Sequence, residues 1–224
     1  MKKLYPLLSV LFLISIGFGQ KLSEKIKTYE NGNIKSITYY KETRNKIEKV
    51  KFVSFYEDGQ KKKEQKGTFK KTTYGDDLSG FETLWYENGQ KYSEGTLKEG
   101  LWYGLHTYWY EDGQKKFKGT YNDGQLDGLQ TYWYENGQMK YERTYKDGKP
   151  DGLHILWNIE GKKTFEGIYK NGNKWDGTFP DIISGEKEIN KQTYKDGKRW
   201  NGVWYKWYGN GRKKREQIYK DGKR

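Results

Sequence analysis

Apolar and polar residues alternate along most of this chain in short runs, and glycines cut the runs at regular intervals. Gly89, Gly113, Gly137 and Gly161 stand 24 residues apart. A second series, Gly100, Gly124, Gly148 and Gly172, has the same step and continues at 25-residue steps to Gly197 and Gly222. A fixed period of this length marks an array of one supersecondary unit. Its best copies are Gly104-Leu105-His106-Thr107-Tyr108-Trp109-Tyr110-Glu111-Asp112-Gly113-Gln114 and Gly128-Leu129-Gln130-Thr131-Tyr132-Trp133-Tyr134-Glu135-Asn136-Gly137-Gln138. Asn-Gly or Asp-Gly between aromatic and β-branched runs predicts two-residue type I′ hairpins, because such turns need positive φ at both central positions. Each unit then supplies two strands. The expected fold is all-β, an elongated single antiparallel meander of about 24-residue hairpins.

With Asp112-Gly113 as the turn centre, Tyr110 faces Lys115, Trp109 faces Lys116 and Tyr108 faces Phe117. One face carries Leu105, Thr107, Trp109, Lys116, Lys118 and Thr120; the other carries Tyr108, Tyr110, Phe117 and Tyr121. An even period preserves the face, so Trp85, Trp109, Trp133 and Trp157 form a row with about 10 Å between neighbours. Lys116 and Lys140 are placed against these rings. The row has two readings. As a ligand platform, indoles and lysines suit sugars, acidic glycans or nucleic acid. As scaffold, they stabilise a thin sheet by cross-strand packing, and recurrence of the same Trp in every good copy favours this reading. Gly95, Gly119 and Gly167 recur in the second strand, where a missing side chain lets a neighbouring ring lie across the backbone.

The pattern divides the chain into residues 1–19, an irregular cap over 20–79, regular repeats over 80–176, and degenerate and C-terminal repeats over 177–224. Gly32, Gly59 and Gly89 are unevenly spaced, as capping units are. The larger break is Gly177-Thr178-Phe179-Pro180-Asp181-Ile182-Ile183-Ser184-Gly185, where the Trp position is lost and Pro180 cannot donate to a ladder. Trp175 and Trp200 flank it, each two residues before a glycine, where earlier units have Leu126 and Pro150. Trp175, Trp200, Trp204, Lys198 and Arg199 are therefore the candidate partner-binding residues, with a loosened repeat as the alternative. The last strand, Arg212 to Lys220, is an edge that Lys213, Lys214 and Arg215 protect by charge.

Composition narrows the function. Apolar residues are 33% and aromatics 17%, too little aliphatic material for a thick enzyme core. With no cysteine and two histidines, disulfides, thiolate sites and His-rich cages are excluded. His106 and His154 share one slot two repeats apart, about 19 Å by strand spacing, and read as variable surface positions. The acids at Glu57, Glu87, Glu111 and Glu135 recur at one turn and read as turn chemistry. No phosphate loop, nucleophile elbow or metalloprotease helix occurs, so no catalytic, cofactor or metal residue is expected. The net charge is +13, with lysines concentrated at the Lys-Asp-Gly turns. A basic edge favours an anionic surface, an acidic protein or an acidic glycan, and equally serves solubility. Met1-Lys2-Lys3, an apolar run from Leu4 to Phe18 and the small residues Gly17 and Gly19 have the layout of a secretory signal peptide. The expected product is exported, periplasmic, surface-bound or secreted, and nucleic acid is a poor partner for it.

The unit Tyr-Trp-Tyr-Glu-Asn-Gly-Gln, then a charged strand, Gly-Thr-Tyr, Lys-Asp-Gly and Asp-Gly-Leu, resembles the MORN-repeat-variant family, whose members are commonly described as YwqK-type antitoxins. The resemblance runs from Lys51 to Arg224. It implies a β-hairpin array used for protein or membrane contact and, in some members, an antitoxin or immunity role in a toxin-antitoxin system. The leading expectation is a non-enzymatic, exported repeat protein that binds another macromolecule. Its alternatives are an antitoxin that neutralises a toxin partner and a surface that binds acidic glycans or membranes.

Overall fold

The computed structural model describes residues 14–16, 20–73, 75–182, 188–207 and 213–224. Backbone contacts divide the chain into two compact units, one ending at Gly124 and the other beginning at Gln125. In the first unit the strands are β1 (Ile14–Ile16), β2 (Gln20–Thr28), β3 (Ile34–Thr43), β4 (Lys46–Phe55), β5 (Lys61–Thr72), β6 (Gly75–Trp85), β7 (Lys91–Lys98), β8 (Leu101–Trp109) and β9 (Lys115–Asn122). In the second they are β10 (Gln125–Trp133), β11 (Met139–Lys146), β12 (Lys149–Trp157), β13 (Lys163–Lys170), β14 (Asn173–Ile182), β15 (Glu188–Lys195), β16 (Lys198–Trp207) and β17 (Lys213–Tyr219). Within each unit every strand pairs antiparallel with the next, giving the expected meander, and no helix occurs among the described residues. Of the expected leader, Ile14–Ile16 form β1 against Gln20–Leu22, and residues 1–13 and 17–19 lie outside the described residues.

The two turn families use different chemistry. At the Lys-Asp-Gly turns both central residues have positive φ, for example Asp147 at 47° and Gly148 at 73°, and the strands close on the Lys146–Lys149 pair. These are the expected type I′ hairpins. At Tyr-Glu-Asx-Gly-Gln only the glycine is left-handed (Gly113 at φ 87°). The Gly113 N–H donates to the Tyr110 carbonyl at 3.0 Å, and the Tyr110 N–H to the Gln114 carbonyl at 2.8 Å. This is a three-residue loop closed by a glycine bulge, which corrects the type I′ expectation there. It shifts the last pair, so that Trp109 faces Lys115 and Lys116 is bulged out, while Tyr108 still faces Phe117 as expected.

The break also starts later than expected. β14 runs on through Pro180, opposite Lys191, to Ile182, and Phe179 is buried. A proline is accommodated in a strand where its missing N–H interrupts only one ladder bond. Residues 183–187 of the break lie outside the described residues.

Within each unit, successive turns of the Tyr-Glu-Asx-Gly-Gln family are bolted together. Tyr56 donates its hydroxyl to the Trp85 carbonyl, Tyr86 to that of Trp109 and Tyr134 to that of Trp157, at 2.8, 2.8 and 3.0 Å. Asn88 Nδ2 donates to the Glu111 carbonyl and Asn136 Nδ2 to that of Ile159. The Asx side chain meanwhile accepts from the backbone two residues on, as Asn88 Oδ1 does from Gln90 N. On the Lys-Asp-Gly side, each turn glycine donates to a carbonyl of the preceding hairpin: Gly100 to Leu78, Gly124 to Trp102, Gly148 to Leu126, Gly172 to Pro150, Gly197 to Trp175 and Gly222 to Trp200.

Candidate functional site

The register sorts the side chains of both units onto two unlike faces. The first is aromatic. In the first unit, Tyr92 meets Tyr86 and Tyr108 edge-on, and Trp102, Tyr108, Phe117 and Tyr121 continue the cluster. In the second, Tyr132 stacks on Tyr141 at 4.6 Å, and Phe165, Tyr169, Phe179 and Tyr194 form a further chain of rings. Such ring pairs add packing energy beyond their area, which is how a sheet without helices acquires buried side chains.

His106 and His154 belong to this face. Both are buried, which overturns their reading as variable surface positions. Gly95, opposite His106 in β7, leaves space that the imidazole fills, so a side chain at 95 would collide with the ring. His106 also stacks on Trp102 at 5.2 Å, and its Nε2 bonds the Thr96 carbonyl at 2.8 Å. Burial holds its imidazole below the ordinary histidine range. Gly167 gives the same room to the Phe165 and Phe179 rings, as expected of that glycine series. Glu82 occupies the His106 slot one repeat earlier and is paired with Lys63 at 2.7 Å and Gln65 at 2.6 Å.

In the second unit this slot is occupied by Gln130 and His154, with Arg143 between them in β11. Gln130 pairs across the ladder with Arg143, and Arg143 with His154. Arg143 stands where Gly95, Gly119 and Gly167 stand elsewhere, a departure visible in the 24-residue spacing but overlooked when the glycines were read only as a series. Its guanidinium donates to His154 Nε2 and to the Tyr145 hydroxyl, both at 2.9 Å, and lies over the Tyr141 and Tyr145 rings. Burial, and then the Arg143 charge, bring the His154 imidazole down to about 4.

The second face is mixed apolar and charged, with lysines and glutamates paired. Thr83, Thr107 and Thr131 are buried in its middle line. Lys61 and Lys91 cover the Trp85 and Trp109 rings at 4.9 and 5.6 Å and pair with Glu64 and Glu94. Lys116 and Lys140 lie instead over Tyr110 and Tyr134, because the bulge at the turn moves them off the tryptophan face. Leu105 and Phe81 in the first unit, and Leu129, Leu153 and Ile168 in the second, are exposed, Leu105 and Leu129 by 50% and 53%. Residues 81, 105, 129 and 153 are repeat equivalents, a signal that the period carried and that attention to tryptophan passed over.

Trp175 and Trp200 sit at strand bulges just after type I′ turns. Each half-buried indole lies between two groups: Lys170 at 4.2 Å and the Gly197 turn for Trp175, Lys195 at 4.7 Å and the Gly222 turn for Trp200. Lys198 closes the Asp196-Gly197 turn opposite Lys195, and the Arg199 guanidinium lies 5.7 Å from the Tyr219 ring. Trp204 is in β16 opposite Gln217, and its side chain lies outside the described residues. Trp175 and Trp200 thus occupy equivalent positions, each against the following Lys-Asp-Gly turn.

Three segments, residues 28–42, 102–123 and 126–147, match the model of the MORN repeat variant. No curated protein matches the chain. The second and third matches start 24 residues apart, at Trp102 and Leu126, and each contains one Tyr-Glu-Asx-Gly-Gln turn. The chain is a β-hairpin repeat protein that in those three segments is similar to the MORN repeat variant.

Proposed function

We propose that this is a non-enzymatic, exported binding scaffold that holds a protein partner through exposed leucines at repeat-equivalent positions. The observation that carries the reading is the exposure of Leu105 in one unit, and of Leu129 and Leu153 in the other, at repeat-equivalent positions. Exposed apolar side chains recurring on one face supply a contact surface. MORN repeat variants support a binding role of this general kind. Export rests on the Leu4 to Phe18 run, and the mature chain is expected to start after Gly19.

The test is capture from envelope and culture fluid with residues 20–224, set against a Leu105→Ser, Leu129→Ser, Leu153→Ser variant of unchanged melting temperature. A protein that binds the unaltered chain in purified form and is lost with the variant supports the reading. Equal capture by both chains, or retention only by anionic vesicles in low salt, overturns it.

A further inference from the structure

On the aromatic face of the second unit, opposite the leucine row, three neighbouring side chains lack what burial demands. Gln130 and His154 are 2% and 3% exposed, and Arg143 between them is half-buried. Gln130 Nε2, Arg143 Nε and His154 Nδ1 are buried without a hydrogen-bond partner. All three are donors. His154 Nε2 accepts from the Arg143 guanidinium, which can only donate, so the ring hydrogen sits on Nδ1. Nor does any ion pair among the described residues involve Arg143. A partly buried cation without a counter-charge and idle buried donors are costly, and the cost at Arg143 Nε and Gln130 Nε2 is relieved by an anion with several acceptor lone pairs.

We propose that Gln130 and Arg143, neighbours across β10 and β11, form a seat for one carboxylate group, the monoanion that balances a single guanidinium. A carboxylate has two oxygens and about four lone-pair sites, enough for the Gln130 Nε2 and Arg143 Nε donors, and guanidinium is its geometric complement. His154 holds the guanidinium in place by accepting from it at Nε2. The half-buried Tyr141 and Tyr145 rings flank the Arg143 guanidinium. The corresponding slots of the first unit need no such ligand: Glu82 is paired with Lys63, and His106 is bonded to Thr96. The carboxylate has two sources, a free small acid or an acidic side chain of a protein, and the seat does not depend on the leucine face.

The experiment is an NMR titration of the full chain, following the Arg143 Nε–H resonance, identified by its loss in Arg143→Gly. That variant restores the glycine of the other repeats, and Arg143→Lys keeps the charge without the planar fork. Sodium acetate and a hexaglutamate peptide are added at constant ionic strength. The expected result is a saturable downfield shift with both probes, and no corresponding binding by Arg143→Gly. An affinity for the peptide at least about tenfold above that for acetate identifies a protein side chain as the source; equal affinities identify a free acid. A resonance unmoved by either probe in a folded chain, or acetate binding that survives in Arg143→Gly, overturns the proposal.

Discussion

Gly95 and His106 face each other across β7 and β8, and the imidazole occupies the space where a side chain at 95 would be. The glycine is therefore a packing residue, and its φ is not left-handed. Gly95→Ala is expected to destabilise the protein by about 2 kcal/mol, through displacement of a buried ring. Combination with His106→Ala should recover part of that loss. Urea melts of the two single variants and the double variant check this, and simple additivity would show that the two positions do not meet.

The hydroxyl bolts between turns are testable one at a time. Tyr86→Phe keeps the ring against Tyr92 and removes only the bond to the Trp109 carbonyl. It should cost about 1 kcal/mol. Asn88→Ala removes both the bond to Glu111 and the internal Asx bond, so a larger loss is expected. Denaturant midpoints at an unchanged slope are the measure.

The buried histidines give the fold an acid sensitivity. His154 is faced by Arg143, Tyr141 and Tyr169 and titrates near 4 in the folded chain, against 6.5 when exposed. The unfolded chain thus binds the extra proton first, so stability is lost as the pH falls from about 6.5 to about 4. Linkage gives roughly 3 kcal/mol over that window. His106 acts in the same direction. His154→Gln, which copies position 130, should flatten this part of the stability profile. The difference between variant and parent isolates it from the acids, because Glu64, held down by Lys51 and Lys61, contributes only at lower pH.

Trp175 separates scaffold from recognition. Trp175→Leu restores the residue type of position 126 and is expected to leave stability within about 1 kcal/mol of the parent, whereas Trp175→Ala should cost about 2 kcal/mol. If the indole is itself a contact for the partner, Trp175→Leu loses the partner without loss of fold. Parallel melting and binding measurements distinguish these outcomes.

The meander was legible because glycine spacing reports strand length directly, and face assignment survived because Tyr108 and Phe117 remained opposed. The last pair of each hairpin was not legible from the same rule. Asp112-Gly113 and Asp123-Gly124 look alike as dipeptides, but Asp112 is not left-handed and Asp123 is, at φ 46°. What separates them is loop length, set by where the flanking strands stop. The histidines were misplaced for a related reason. Glu82, Gln130 and two histidines in one slot look like solvent-facing variety, and only the glycine across the strand shows that the slot is covered. Arg143 was hidden as the missing member of that glycine series.

The bonds between successive turns use main-chain carbonyls and a fixed set of turn residues, Tyr and Asn on one side and Gly on the other. None of them depends on what the strand faces carry. Whole repeats are therefore interchangeable modules. Duplication or loss of a 24-residue segment within a unit joins one standard turn to another, and recombination can shuffle face residues without a new solution for the stack. Such a gene can change its binding surface by copying repeats, faster than point substitution in a shared core would allow.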